Sequence, residues 1–299
     1  MNHRLFATTF VFIQTGAMDD STLRLIVFFS VLIVMALAEF IRPRRALIMG
    51  YKRWPANLGV IVFDVLIARI VLPAGAVGAS LWALEHDIGL FNWLAWNDAV
   101  TFVLAVILLD MVVYGQHMLF HRIPLLWRLH MVHHADREID VSTGLRFHPV
   151  EILLSMFIKM SVVVLLGAPA LAVVIFEMIL NAMAMFNHAN FHLPLKLDAF
   201  IRKLVITPDL HRIHHSIIKN ETNSNYGFNL SIWDRLFGTY RAQPQLGHDG
   251  MVIGLEHLQD APTHRIDFML RLPFNGEIGQ YPMPKTKPAK QREGNKDVR

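Results

Sequence analysis

Residues 117–134 read HMLFHRIPLLWRLHMVHH. His117 and His121 stand four apart, and so do His130 and His134, with His133 beside the last. On a helix, residues three or four apart share a face, so each group aims its imidazoles at one spot. The pattern returns downstream as HANFH, carrying His188 and His192, and as HRIHH, carrying His211, His214 and His215. Ten of the sixteen histidines fall in these four clusters. Neutral imidazole is the commonest metal ligand, and no carboxylate stands at matching spacing beside them. Ten nitrogen donors are too many for one ion but suit two, each with roughly five.

A lone histidine pair on a helix is ordinarily a packed or hydrogen-bonded contact. Four clusters in one chain, two of them HxxHH, are harder to explain that way, and a histidine pH switch needs no repeated spacing. The kind of metal site is narrowed by what is missing. A zinc hydrolase wants three ligands, an open position and usually a glutamate base, as in HExxH, which this sequence lacks. Structural zinc takes four ligands and typically cysteine. Two imidazole-rich ions at a membrane face fit oxygen activation by non-haem iron better.

The membrane face follows from composition. The 299 residues are 54% hydrophobic and only 17% charged, with a mean hydropathy of +0.38. That is apolar for a soluble chain and points to a membrane protein with one compact body. No cysteine is present, which excludes disulfides, thiolate zinc, haem-thiolate and cysteine-held iron–sulfur clusters. The net charge of +4 is modest, and no basic patch with interleaved aromatics suggests nucleic acid as a partner. The N-terminal run lacks a basic start and a small-residue cleavage pattern and is read as retained.

Working outward, the first spanning candidate is 25–41, followed at once by Arg42, Arg44, Arg45, Lys52 and Arg53. That basic cluster marks the cytoplasmic side. A second span, 58–84, returns with Pro73 and Gly75 as kink or packing points. The loop 85–98 holds Glu85, Asp87 and Asp98 and no Lys or Arg, which suits the outer face. A third span, 99–119, comes back and delivers His117 and His121. The stretch that follows is rich in arginine (Arg122, Arg128, Arg137, Arg146), again as expected inside. Residues 150–166 and 170–186 flank Gly167-Ala168-Pro169 and form either a pair of spans or a re-entrant hairpin. Either way both ends lie on one side, so His188 and His192 land beside the earlier clusters. No later run is long enough to cross, and His211, His214 and His215 stay on the same face. Apolar length and Lys/Arg distribution alone thus gather all ten histidines at one membrane boundary.

Glu39, Asp64, Arg69, Asp110, Lys159, Glu177 and Asn181 lie within the spans, where ionisable groups are costly and usually face the bundle interior. Asp110, two turns before His117, reads either as a partner of the site or substrate channel, or as a polar contact between helices. The tail from Gln243 mixes loops, a possible interfacial piece at 266–272 and a basic Pro/Lys-rich end expected to be disordered.

The chain resembles the fatty acid hydroxylase/sterol desaturase superfamily of integral membrane di-iron oxygenases. The resemblance is carried by HxxxH at His117 and His121, HxxHH at 130–134, RFHPVE at 146–151 and NHANFH at 187–192. To these are added TPDLHRIHHS at 207–216 and NYGFNLSIWDRLFGTYR at 225–241. It implies an all-α fold: polytopic membrane helices with a cytoplasmic helical cap carrying a histidine-rich di-metal site. Residues 1–98 would be N-terminal membrane helices, 99–241 the catalytic domain and 242–299 a cytoplasmic tail. All ten clustered histidines would hold two irons, and O2 with two electrons would hydroxylate or desaturate a fatty acyl chain, sterol or related lipid. Relatives with a fused b-type cytochrome domain exist; nothing here resembles it, so an external donor (ferredoxin, flavoprotein or cytochrome) is implied.

Among flanking residues, His148 is a candidate hydrogen-bond partner or extra ligand, and Asp209, Asn187 and Asn190 are candidates to orient ligand imidazoles through their second nitrogen. Trp233-Asp234-Arg235 reads as an architectural turn with an Asp–Arg contact. His3, His86, His248, His257 and His264 read as ordinary surface or loop histidines. The competing class is a membrane metal transporter or storage protein with a His-lined path, although transport ligands are expected near the bilayer midplane.

Overall fold

The computed structural model describes residues 20–282; the N-terminal run through residue 19 and the basic end from residue 283 lie outside it. Among the described residues there is no strand, only three isolated bridges, Pro43 to Phe191, Val205 to Leu230 and Ser216 to Ile253. The fold is all-α, as expected, and five segments are long and apolar enough to cross a membrane.

The first span is α1 (Asp20–Ile41). The second apolar segment breaks at 72–74 into α2 (Trp54–Val71) and α3 (Gly75–Glu85). Pro73 lacks an N–H, so the break falls where the sequence puts it. A short α4 (Leu90–Leu94) leads to α5 (Asp98–Arg122), whose start is capped by the Asn97 side chain accepting from Ala99 N at 2.9 Å. Pro124 opens α6 (Pro124–His134). The hairpin candidate resolves into two unbroken helices, α7 (Pro149–Leu166) and α8 (Ala170–His188). They are joined at Gly167, whose φ of +63° suits the residue that ends a helix. At 18 and 19 residues each runs roughly 27–28 Å, enough to cross a hydrocarbon core. Large apolar side chains line the outside of the spans, Phe157 at 62% and Ile70 at 79% exposure among them. Helices apolar on their outer faces belong in lipid.

The cap is built from α6, a 3₁₀ turn at Val141–Leu145, and the chain after α8. That chain carries the short helices α9 (Leu195–Ile201), α10 (Pro208–His214), α11 (Lys219–Thr222), α12 (Ile232–Leu236) and α13 (Gly247–Gly250), then α14 (Ile266–Asn275). The piece at 266–272 is part of α14, which packs on α6 and α2 through buried Met269 and Leu272. Much of the basic cluster after α1 is spent on joining spans to cap. Arg53 is 1% exposed and pairs with Asp136, Glu138 and Asp140. Arg44 reaches Asp209 at 3.2 Å and Asp249 at 2.8 Å. Glu39, buried near the end of α1, accepts from Val141 N and Asn190 N.

Candidate metal centre

Four helices converge at the junction of spans and cap. The last turns of α5 bring His117 and His121; α6 brings His130, His133 and His134; α8 ends on His188; α10 brings His211 and His214, with His215 capping it. Nine buried imidazoles result, and they sort into two groups. His117, His121, His130, His134 and His214 form one, and His133, His188, His211 and His215 the other, with the ligand atoms of each group within 4.8 Å of one another.

Each HxxHH motif is shared between the two groups, where the sequence suggested one target per cluster. Adjacent residues on a helix project about 100° apart and i, i+3 residues about 60°, so the i, i+4 members, about 40° apart, face most nearly the same way. His130 and His134 therefore serve the first group while His133 serves the second. In α10 the allocation reverses: His211 and His215 face the second group and His214 the first.

The second ring nitrogens explain the orientation. Nδ1 of His117 lies 2.8 Å from the Tyr226 carbonyl, that of His133 3.1 Å from Arg146, that of His188 2.7 Å from Ala184 and that of His214 2.7 Å from Ser224. A carbonyl only accepts, so each of these four Nδ1 atoms carries the hydrogen and each Nε2 presents a lone pair. Gly144 allows one of these contacts: a Cβ there would stand 2.3 Å from the Ala184 oxygen. His130 is held instead by a carboxylate, with Glu151 Oε1 2.6 Å from its Nδ1.

Those Nε2 lone pairs point at each other. His117 and His214 meet at 3.0 Å, as do His133 and His188, with no proton available for either contact. Nε2 of His130 and both nitrogens of His121 and His134 are buried without a partner. Protonation is not the remedy, because burial holds His130 at about 3 and pushes His133, His134, His211, His214 and His215 well below their ordinary value. A cation in each group would take one nitrogen from every ring of that group at once. With metal–nitrogen bonds of about 2.1 Å, neighbouring ligands stand about 3.0–3.4 Å apart, which matches the separations found. The donor set therefore fits two metal ions.

His192 joins neither group. The helix stops at His188, and Ala189 is already extended at φ −60°, ψ 137°. The i, i+4 relation that HANFH suggested is therefore not formed, and Phe191 pairs with Pro43 instead. The other expected helpers are also engaged elsewhere. Asp209 pairs with Arg212 and Arg44, Asn187 donates to the Phe228 carbonyl and Asn190 to that of Arg45. His148 caps α7 through Val150 N. Asp110 accepts from Trp233 Nε1 at 2.8 Å and is a contact between span and cap. The Asp234 turn is architectural, but its carboxylate takes Tyr226 N, Gly227 N and Thr239 Oγ1 rather than an arginine. It thereby fixes the loop whose carbonyl holds His117. Sequence reasoning missed Glu151, although it lies inside the quoted RFHPVE and at the first turn of α7. The backbone carbonyls left no sequence signal at all.

A cavity of about 510 Å³ reaches the first group from between the spans. His117, His130, Phe120, Phe147 and Glu151 line its inner end.

Residues 102–239 match the model of a family described as fatty acid hydroxylase. An ornithine lipid hydroxylase of Rhizobium tropici is 30% identical over 186 residues, 61% of this chain and 51% of the relative. Alkylglycerol monooxygenases are similar as well. That of Danio rerio is 33% identical over 168 residues, 56% of this chain and 35% of its own. That of Homo sapiens is 28% identical over 169 residues, 56% and 36%. The chain thus spans between a third and a half of these relatives' lengths. No solved structure matches.

Proposed function

We propose, from the match of residues 102–239 to the fatty acid hydroxylase family model, that this protein is a di-iron oxygenase that hydroxylates a C–H bond of a membrane lipid. The observation that carries the reading is the facing of unprotonated Nε2 atoms in two adjoining buried groups at the inner end of a cavity between membrane helices. Two irons bound there would supply the redox chemistry that joins O2, two electrons and a C–H bond.

The chain's own residues do the rest. His117, His121, His130, His134 and His214 would hold one ion, and His133, His188, His211 and His215 the other. Carbonyl oxygens and Glu151 fix which ring nitrogen faces inward. Phe120 and Phe147, with the closely packed cap, keep bulk water from the reacting carbon. Residues 99–241 are read as the catalytic unit, with flanking segments that anchor and cover it.

Two further parts of the reading rest on chemistry and charge. The electrons come from a separate donor of the ferredoxin, flavoprotein or cytochrome class. The cap faces the cytoplasm, as the excess of Lys and Arg on the histidine side indicates. Because the two kinds of relative are named as a hydroxylase and a monooxygenase, hydroxylation is preferred to desaturation, and a polar lipid is the substrate class. The transporter reading is not favoured, since the imidazoles gather at one end of the spans rather than at their middle.

Metal analysis of anaerobically purified protein tests the proposal. Two irons per chain are expected, with an oxygen-dependent hydroxylated lipid in cells expressing it. An iron-free sample, or lipids unchanged in the presence of an active donor, would overturn it.

A further inference from the structure

The wall of the cavity is polar in places where an acyl tunnel would be smooth. Beside Leu109, Phe176 and Leu180 it carries Asp64, Lys159, Glu177 and Arg24. Asp64, in the middle of α2, is 4% exposed, and its Oδ1 has no partner. Glu151 gives Oε1 to His130, but its Oε2 is also buried without one. Gln116 and Ser155 bond to each other at 2.7 Å on the same wall. Further along, Arg24 and Lys159 both pair with the carboxylate of Glu177.

These groups differ in what they lack. The ion trio satisfies itself in part, whereas Asp64 Oδ1 has no donor to accept from. An alkyl chain laid over it would remove water from the carboxylate and return no donor, which is a penalty. An occupant bearing O–H or N–H avoids it. Position makes the distinction matter. Asn57, seven residues before Asp64, touches the cap residues Ser142 and Arg146. Asp64 therefore stands roughly 10 Å along α2 from the cap. His117 and His130 open into the same cavity.

We propose that the cavity receives the polar head of the lipid, and that Asp64 accepts a hydrogen bond from a hydroxyl or ammonium group on that head. The proposal rests on the oxygenase reading only for the cavity's being the substrate site. It deepens that reading in one respect: the oxidised carbon belongs to the head or to the first carbons of the chain, not to the distal tail.

Binding, rather than turnover, tests it. The full chain in nanodiscs, kept under nitrogen, is titrated with hexadecylglycerol, hexadecylamine and hexadecane. The first two are expected to bind saturably and hexadecane far more weakly. Asp64→Asn is expected to weaken hexadecylamine by about tenfold or more, the size of a hydrogen bond to a charged group. Asp64→Leu should abolish the preference of both polar probes over hexadecane. A response of hexadecylamine alone assigns an ammonium site, and a response of both probes a general donor site. Because an unpaired buried carboxylate is a liability to the fold, both variants are expected to keep their metal and melt at or above the parent temperature. Equal binding of hexadecane and hexadecylglycerol, or unchanged hexadecylamine binding in Asp64→Asn, would overturn the proposal. So would variants that lose metal and melt early, since Asp64 would then be a support of the fold. Polar probes that bind as expected to protein that proves iron-free after anaerobic purification would sink the oxygenase reading while leaving this subsite standing.

Discussion

Glu151 sets its ligand differently from the rest, because a carboxylate on Nδ1 makes the imidazole a stronger donor than a carbonyl does. His130 accordingly depends on a side chain that can be exchanged. Glu151→Ala is expected to lower metal affinity about 10- to 100-fold, the usual scale for such partners, with the loss confined to the five-histidine group. Glu151→Gln keeps an acceptor oxygen and should recover most of the binding. Iron stoichiometry across a chelator series checks both, and equal loss in the two variants would assign the effect to charge rather than orientation. Acid acts on the same rings. Buried His130 sits at about 3 against an ordinary value of 6.5, so below that ordinary value the unfolded chain binds protons that the folded one does not. Stability then rises with pH. Retention of metal and fold should be complete above about pH 7 and fall progressively as pH drops from about 6.5 towards 3, with unfolding followed by tryptophan fluorescence.

At the level of helices, legibility tracked regularity. Breaks and apolar runs were visible: Pro73 and Gly75 within the second span, Gly167 at the hairpin turn, and the runs that became five spans. The histidines were visible as a set, since a helix translates spacing into a shared face. Where the helix ends the translation fails, which is why His192 was grouped with His188 and the structure separates them. Partners supplied by the backbone, such as the carbonyls of Tyr226, Arg146 and Ser224, depend on tertiary approach and have no side-chain signature. The sharing of each HxxHH between both groups yields a prediction that a one-helix, one-metal arrangement does not. His133→Ala and His134→Ala change neighbouring residues of α6 but remove ligands from different groups. Each variant should therefore disturb a different iron, giving distinct Mössbauer signatures in the iron that remains. Identical spectra from the two would show that the groups are not independent. His192→Ala should retain both irons.

For the whole molecule, the same arginines that mark a membrane face also fasten the cap. Arg44 and Arg53 are bound to cap carboxylates, so they cannot all be read as free topogenic charge. What remains includes exposed Arg42, Lys52, Arg122, Lys196 and Lys203, set against the acidic residues of 85–98. The chain contains no cysteine, so single substitutions report orientation without a background. Glu85→Cys, at the end of α3, should react with an impermeant maleimide on intact cells. Lys203→Cys, on the cap, should react only after the membrane is opened. Both positions are exposed and outside the histidine groups, so neither substitution should change iron content. Reaction of Lys203→Cys on intact cells would put the cap outside and remove cytoplasmic electron donors from consideration. Reaction of both on intact cells would mean that α5 does not cross, and that His117 and His121 do not come to the centre from within the bilayer.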